Sequence, residues 1–388
     1  MQNAATTGSL DREWTLRVDS QHPAVHGPMT LRLRVDGPDP DARIQSAEVV
    51  VAPLHRGVEK LFESRDYRQA LMLADRHDWH SAFGSELGLA LTIEHMAGIA
   101  VPERATWIRT TMAELNRAIH HLRWLGETIG ELAADEAESL VLRDSCRRAR
   151  DRLTWFHEAN SGGRLHPMLV VPGGVREDTP DGWAAGLRTE ISALTDLADG
   201  LVKWVTTHGE LSGAGVGVVP LDLATSYGAS GPVARASGLA LDLRLDDPYL
   251  RYDELAATGV LTRVTASAGD SQARLLILAE ELRVTFAVLV AATTALDAPG
   301  LVGEPVNVRL PRSLRVPEGT GYGWTENPTG INGWFLESRG GPMPYRLKVR
   351  TASFANAQAL SHVLVGETVR ALPTILMTFL LVAGDLGK

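Results

Sequence analysis

A long run of helical periodicity in the first half of the chain constrains the fold most strongly. In MAELNRAIHHLRWLGETIGEL, ending at residue 132, apolar residues recur every three or four positions. This spacing gives a helix one apolar stripe, which other elements have to cover. Similar patterns predict helices over residues 58–72, 82–98, 138–160, 182–208 and 271–296. A helical bundle is therefore expected.

The N-terminal region has a different period. Residues 29–36 alternate apolar and polar side chains, as a half-buried strand does, and WTLRV and AEVVVA on either side can pair with them in an antiparallel sheet. Strand-like residues return over 315–351. The predicted fold class is α+β, predominantly α: a helical bundle with small antiparallel sheets at its margins. An N-terminal β region over residues 1–57 would precede a helical domain over residues 58–388 that contains the second β segment.

The loop DSQHPAVHGP joins the first two predicted strands and contains two histidines, His22 and His26. Prolines and a glycine hold such a connection open. Loops at the end of a sheet often carry binding or catalytic side chains. This loop is the first candidate for a functional site.

Composition excludes several protein classes. The net charge of −9 comes from interspersed charges without a basic stripe, so nucleic acid is not an expected partner. The lone Cys146 excludes an intramolecular disulfide and a cysteine cage for a metal or an iron–sulfur cluster. The N-terminus is polar and has no secretory pattern. The apolar run over 371–384 is shorter than the roughly 20 residues of a bilayer span and contains Pro373, so it is expected to be a buried helix.

Further histidines occur in pairs. His77 and His80 would share a face if their segment were helical, but no third ligand follows at a recognisable spacing, so no metal site is predicted. His120 and His121 are adjacent on the long helix, so at most one is expected to face inward. Neither a phosphate-binding P-loop nor a G-x-S-x-G elbow is present, and GAGVGVV lacks the βαβ context of a dinucleotide fingerprint.

Eight ordered motifs resemble one family between about residue 14 and about residue 365. They read QHPAVHG, LHRGVEKL, DYRQAL, DRHDW, VPERATWIRTTMAELNR, SGGRLH, PGGV and PYRLKVR. The chain resembles the D subunits of bacterial NADH-quinone oxidoreductases, the counterparts of the 49-kilodalton subunit of respiratory complex I, in a divergent second-copy form. The resemblance implies a fold related to the large subunit of nickel–iron hydrogenases. A chain with a single cysteine cannot hold the hydrogenase metal centre, so hydrogenase activity is excluded.

The resemblance also implies cofactors, partners and location. The chain itself would bind no cofactor, quinone would be the substrate, and the iron–sulfur cluster and the flavin would belong to partner subunits. Together with the subunit that carries the terminal cluster, it would form the quinone cavity of a proton-translocating NADH:quinone oxidoreductase. It would be peripheral to the cell membrane on the cytoplasmic side, held there through the complex.

Family motifs assign roles to individual residues. By resemblance, His26 would hydrogen-bond a quinone carbonyl and supply a proton, Glu131 would be its carboxylate partner, and His22 would brace the loop beside the quinone. Trp79 stands where the family has a tyrosine in the head-group wall. Indole is a hydrogen-bond donor that cannot deliver a proton as a phenol can. Proton delivery then either falls to His26 alone or fails, or water supplies the proton in place of the phenol.

Three other residues match family positions near the partner's terminal cluster: Arg56, Arg164 and His166. Positive charge and hydrogen bonds there raise a cluster's reduction potential, although interface ion pairs would explain the same residues. Two departures lie near the C-terminus, where Thr329 replaces a basic residue and Asn332 a glutamate.

Two alternative functions stay open at this point. A non-catalytic structural paralogue would keep the scaffold and lose the chemistry. A hydrolase or metalloenzyme would be built around His77, His80 and His121.

Overall fold

A computed structural model describes residues 12–50 and 54–388. Within them the chain is mostly helical with small antiparallel sheets, which confirms the predicted fold class. The polar N-terminus and the end of the predicted strand AEVVVA lie outside the described residues. The division of the chain at residue 57 stays a prediction.

The described strands form antiparallel sheets in the orders β1-β2-β3, β4-β5 and β6-β7-β8. They are β1 (Arg12–Val18), β2 (Met29–Val35), β3 (Ile44–Val50), β4 (Val170–Val171), β5 (Gly174–Val175), β6 (Gly319–Asn327), β7 (Gly330–Ser338) and β8 (Arg346–Arg350). The first sheet contains the predicted N-terminal strands, with Leu31 opposite Leu16 and Val49. The third sheet lies within the strand-like region predicted from the sequence.

The helices lie mainly between the first and third sheets along the chain. They are α1 (Val58–Phe62), α2 (Tyr67–Ala74), α3 (Ala82–Ala97), α4 (Glu103–Leu132), α5 (Ala137–Ser161), α6 (Trp183–Ser192), α7 (Thr195–Thr207), α8 (Gly209–Ser212), α9 (Leu221–Ser226), α10 (Gly231–Ala236), α11 (Leu243–Asp246), α12 (Tyr252–Ala257), α13 (Ser271–Leu296), α14 (Ala352–Val363), α15 (Leu372–Thr378) and α16 (Ala383–Leu386). Short 3₁₀ turns occupy Trp79–Ser81 and Val369–Ala371. No helix of the described residues is long and apolar enough to cross a membrane.

Two predicted helices are each divided in the structure. The helix predicted over 58–72 is α1 and α2, because Asp66 starts a new helix: its side chain accepts the Gln69 N–H and the Gln69 side chain accepts the Asp66 N–H. The helix predicted over 182–208 is α6 and α7, which are separated at Ala193 and Leu194. The prediction of one continuous helix was therefore wrong in both segments.

The C-terminal apolar run is buried as predicted, but it is only partly helical. Pro373 lies in the first turn of α15, where its missing N–H costs no hydrogen bond. The helix ends at Thr378, and the buried residues 379–382 run on as irregular backbone to α16. The final residue is tied to the rest of the fold, because Lys388 Nζ donates to the Val349 carbonyl at 2.5 Å and its own carbonyl lies 2.7 Å from His55 Nδ1.

Helices α4 and α13 pack against each other through apolar side chains and through buried charges. Glu114 of α4 accepts hydrogen bonds from Arg244, Tyr252 and Thr285 at 2.8–3.3 Å. Such groups are stable away from water only when their charges are matched and their hydrogen bonds are made. We call this set the buried ion network; its members are Glu114, Arg117, Arg235, Asp242, Arg244, Glu281 and Glu326.

A second buried polar group joins the C-terminus to the turn after α2. Asp385 Oδ1 lies 3.7 Å from His77 Nε2, and Asp385 Oδ2 accepts the Ser353 N–H at 3.1 Å. Burial raises the pKa of Asp78 to about 7, with a further contribution from the charge of Asp385, and burial raises the pKa of Asp385 to about 6. The C-terminus is thus packed beside carboxyl groups that hold protons up to near-neutral pH.

This arrangement makes stability depend on pH. Because folding raises these two pKa values above their usual value of 3.8, the folded state holds extra protons between about pH 4 and pH 7. The free energy of unfolding should therefore fall as pH rises through that window, by roughly 4–7 kcal/mol. Asp385→Asn should flatten this dependence in urea unfolding at pH 5 and pH 8. Asp181→Asn, at an exposed turn, is the control and should leave the slope unchanged.

Close packing at one glycine gives a second prediction. A Cβ on Gly88 of α3 would lie 2.8 Å from Cδ1 of the buried Trp334, whereas a Cβ on Gly200 of α7 meets only Leu142 Cδ1 at 3.8 Å. Gly88→Ala should lower the free energy of unfolding by about 1–3 kcal/mol through overpacking. Gly200→Ala should raise it by about 0.5–1 kcal/mol, because alanine loses less backbone entropy in a helix. Equal effects in urea unfolding would contradict the assigned helix–sheet contact.

Candidate functional site

The loop between β1 and β2 is fixed against the C-terminal segment. Val25 is fully buried and its carbonyl accepts the Ala383 N–H at 2.8 Å. Gly27 lies so close to Ala383 that an added Cβ would be 2.6 Å from the alanine Cβ. His26 has a positive φ of 46°, a conformation that costs a non-glycine residue of order 1 kcal/mol. The loop contacts hold the residue in this conformation and direct its ring inward.

His26 lies among aromatic rings. Its side chain is 8% exposed, and its ring centroid is 3.9 Å from that of His80, 4.7 Å from Trp124 and 5.7 Å from Trp79. Trp79 and His80 belong to the 3₁₀ turn that follows α2, and Trp124 belongs to α4. The structure therefore brings together His26 and Trp79, as the site residues predicted from the sequence require.

The carboxylate next to His26 differs from the predicted one. Glu127 Oε2 lies 3.5 Å from His26 Nε2, whereas Glu131 Oε1 lies 4.0 Å from His22 Nε2. Both glutamates lie on one face of α4, one turn and about 6 Å apart. The expected pairing of His26 with Glu131 is therefore corrected to Glu127. His22 Nδ1 accepts the Ala24 N–H at 3.1 Å, a contact that stabilises the loop from within.

Burial governs the protonation of this group. Burial is the main cause that lowers the pKa of His26 to about 3, and the charges of Arg123 and His22 lower it further. The imidazole is therefore neutral at physiological pH. Burial also raises the pKa of the Glu127 carboxyl and lowers the pKa of Arg123. The arrangement favours a neutral ring beside a carboxyl group that binds a proton more readily than usual.

A narrow cleft opens beside these rings, with a cavity of about 20 Å³, enough for about one water molecule. It is lined by Trp79, His80, Asn116, Ile119, His120, Arg123, His157, Arg164 and Leu165. Several buried polar atoms here have no hydrogen-bond partner among the described residues: His26 Nε2, His80 Nε2, Asn116 Oδ1, His120 Nε2, Arg123 Nε and Glu127 Oε2. Native proteins satisfy most buried polar groups, so a concentration of unpaired ones marks a place where a polar ligand can bind.

The sequence analysis did not assign Arg123, Glu127, His80 or His120 to this site. Arg123 and Glu127 are four residues apart on α4, and Arg123 lies 5.2 Å from the centroid of the Trp79 ring. The helical period could have placed both on the face that also presents His120 and Trp124. The sequence does not indicate from which direction the loop with His22 and His26 approaches that face of α4.

The residues predicted near a partner's cluster occupy two neighbouring positions. His166 Nδ1 lies 3.0 Å from Oδ2 of the buried Asp75, and Arg56 donates to the carbonyl of the adjacent Arg76 at 3.1 Å. Arg164 is 75% exposed, pairs with Glu158 at 2.8 Å and also lines the cleft. Of the three, Arg164 lines the cleft, and the role of all three toward a cluster stays a prediction.

The histidines of the metalloenzyme hypothesis lie apart. The segment before Trp79 is a turn, so the three-residue spacing does not align His77 with His80. His77 faces Asn332 and Asp385, His80 contacts His26, and His121 faces Glu281. Within residues 12–50 and 54–388 no three His, Cys, Asp or Glu side chains are arranged to hold a metal ion. The expectation that at most one residue of the pair at 120–121 faces inward was wrong, since both are buried.

Comparisons with known proteins agree with this architecture. The family model described as the 49-kilodalton subunit of respiratory-chain NADH dehydrogenase matches residues 144–388. The chain is 46% identical to the NADH-quinone oxidoreductase D subunit numbered 2 of Salinispora tropica, over 98% of this chain and 94% of that protein. It is 44% identical to the equally numbered D subunit of Streptomyces griseus, over 97% and 93% of the two chains.

A solved structure is similar along the same length. A chain of the membrane-bound sulfane sulfur reductase, an archaeal respiratory membrane complex, superposes with a TM-score of 0.86 at 28% identity, covering 97% of this chain and 98% of that one. Sequence and fold thus agree over nearly the whole length. The chain belongs to the family of the 49-kilodalton subunit of respiratory-chain NADH dehydrogenase.

Proposed function

We propose that this chain provides the quinone-binding wall of an NADH-quinone oxidoreductase, next to the terminal iron–sulfur cluster of a partner subunit. The observation that carries the proposal is the group of unpaired polar atoms around His26, set between the indoles of Trp79 and Trp124. Relatives named as D subunits of NADH-quinone oxidoreductases support it. The overall reaction would move electrons from NADH to quinone, coupled to proton translocation by the assembly.

A flat quinone ring matches the chemistry of these walls, and the cavity of about 20 Å³ has to widen to admit it. Aromatic faces offer stacking contacts, and Arg123 and Trp79 offer N–H groups that can donate to a carbonyl oxygen. The Trp124 N–H already donates to the Met377 carbonyl at 2.6 Å, so this indole serves as an apolar wall. The cleft therefore combines stacking surface with hydrogen-bond donors on one side.

Reduction changes the charge balance inside the cleft. As electrons arrive from the partner's cluster, the quinone oxygens become negative, and a nearby negative charge favours the protonated form of an imidazole. His26 is neutral in the free site and would gain its proton only when that charge develops. Glu127, with its raised pKa and its oxygen 3.5 Å from His26 Nε2, is positioned to hold the proton before it moves.

The residues matched to cluster-proximal positions indicate where partner subunits would bind. The subunit carrying the terminal cluster would cover the cleft at Arg164 and would also contact Arg56 and His166. Flavin and NADH chemistry would belong to other subunits. Attachment to the cytoplasmic side of the cell membrane would come through the complex. The alternative, a non-catalytic structural paralogue, would assemble in the same place without quinone turnover.

The carboxylate assignment can be tested in the assembled complex. His26→Gln should lower inhibitor-sensitive quinone reduction roughly a hundredfold, because it removes the proton-exchanging ring. Glu127→Gln should lower the rate more than Glu131→Gln, because only Glu127 approaches His26. The measurement is kcat across pH in complexes shown to contain the variant chain.

The opposite order of the two glutamate variants would return the partner role to Glu131. An unchanged rate for His26→Gln in a complex that contains this chain would favour the structural paralogue. Retention of the iron–sulfur signal in each variant controls for assembly.

The Trp79 substitution gives a second test. Trp79→Tyr introduces a phenol that can donate a proton, and Trp79→Phe has the same ring without the hydroxyl. If proton delivery limits turnover, the tyrosine variant should have a kcat several-fold above that of the phenylalanine variant. Equal values would show that water supplies this proton and that the aromatic ring contributes only stacking.

A further inference from the structure

Two adjacent histidines connect the cleft to the buried ion network. His120 lines the cleft, and its Nδ1 lies 3.0 Å from Nδ1 of His121. On the far side, His121 Nε2 lies 3.0 Å from Glu281 Oε2. The result is a continuous line of hydrogen-bonding atoms from the cleft to α13.

Glu281 fixes the direction of these hydrogen bonds. Burial opposes its ionisation, but Arg235, which donates to Oε1 at 2.7 Å, and the His121 hydrogen bond outweigh burial and lower the pKa of Glu281 to about 2. An ionised carboxylate only accepts hydrogen bonds. His121 Nε2 must therefore carry the hydrogen and donate it.

The tautomer of His120 then follows from that of His121. Burial lowers the pKa of His121, so the ring is neutral and its Nδ1 is left as an acceptor. The atom 3.0 Å away, His120 Nδ1, must be the donor. Burial, followed by the charges of His121 and His26, also lowers the pKa of His120, so this ring is neutral as well. His120 Nε2 consequently has a free lone pair.

That lone pair has no other use within the described part of the chain. His120 is 1% exposed and its Nε2 lacks a hydrogen-bond partner there. The ring is held in place by stacking on Trp124, at 5.3 Å between centroids and 26° between planes. By contrast, no comparable chain of contacts among residues 12–50 and 54–388 fixes the tautomer of His26, whose Nε2 faces Glu127.

We propose that His120 Nε2 is the hydrogen-bond acceptor of the cleft and that it binds a hydroxyl group of the reduced, hydroquinone form of the ligand. This inference rests on the proposed function and deepens it: donors would hold the quinone carbonyls, and His120 would recognise the hydroxyl hydrogen that appears only after reduction. Two charged residues of α4, Arg117 and Arg123, disfavour a positive charge on the His120 ring. His120 thus holds the product through a neutral hydrogen bond.

Binding to the intact complex tests this assignment. The probes are a hydroquinone and its dimethyl ether. Both have the same ring, but in the ether methyl groups replace the two hydroxyl hydrogens. Each probe is measured as an inhibitor of quinone reduction. The native complex should bind the hydroquinone roughly tenfold more tightly, as one well-made hydrogen bond allows. His120→Phe should abolish the preference, and His120→Gln, which restores an acceptor oxygen, should recover part of it.

The outcomes separate the two proposals. A preference that survives His120→Phe overturns the role of His120 and leaves the quinone site intact. Failure of both probes to bind the native complex overturns the quinone site itself. If His120→Phe does not assemble, the nitrogen resonances of His120 in the full-length native chain decide: an unprotonated Nε2 is expected, and a protonated Nε2 with a bare Nδ1 would overturn the proposal.

Discussion

The buried ion network on α4 is the constraint on which the candidate site depends. Removing one partner from a buried ion pair costs about 3–5 kcal/mol, because the remaining charge is left unpaired away from water. Glu114 and Arg117 therefore fix both the rotation and the axial position of α4 against Thr285 of α13 and Arg244 of α11. Over about the next three turns, the same helix presents His120, Arg123 and Glu127. A rotation of α4 that moved these three side chains away from the cleft would also separate Glu114 from Arg244 in the buried ion network.

Local sequence signals account for much of the fold. The apolar spacing along α4 and α13 and the alternation along β2 predict these elements because tertiary packing requires the same faces that the patterns mark. The division after α1 also had a signal, since Asp66 and Gln69 have the spacing of a capping box. The division between α6 and α7 at Ala193 and Leu194 has no glycine or proline and could not be found in this way.

The site was less predictable because it depends on how distant segments meet. The sequence marks His26 and Trp79 through family motifs, but the carboxylate beside His26 depends on how far the loop reaches along α4. A difference of one helical turn separates Glu127 from Glu131, and both residues share a face, so periodicity alone cannot choose between them. The tautomer of His120 is even harder to predict from the sequence, because it depends on Arg235 and Glu281, which lie on other helices.

The unpaired polar atoms bear on whether the chain keeps a binding site or only a scaffold. Leaving a buried donor or acceptor unsatisfied costs about 1–3 kcal/mol, whereas an apolar side chain of similar shape in its place is nearly neutral or stabilising. A protein selected only to support its neighbours would gain stability by replacing His80, His120 or Arg123 with apolar residues. Their presence beside His26, together with the loop strain at His26 itself, is the pattern expected where stability is given up for binding. The buried ion network differs from the cleft because each of its charges has an ion-pair partner within the described residues, although Arg117 Nη1 and Arg235 Nη2 make no hydrogen bond there.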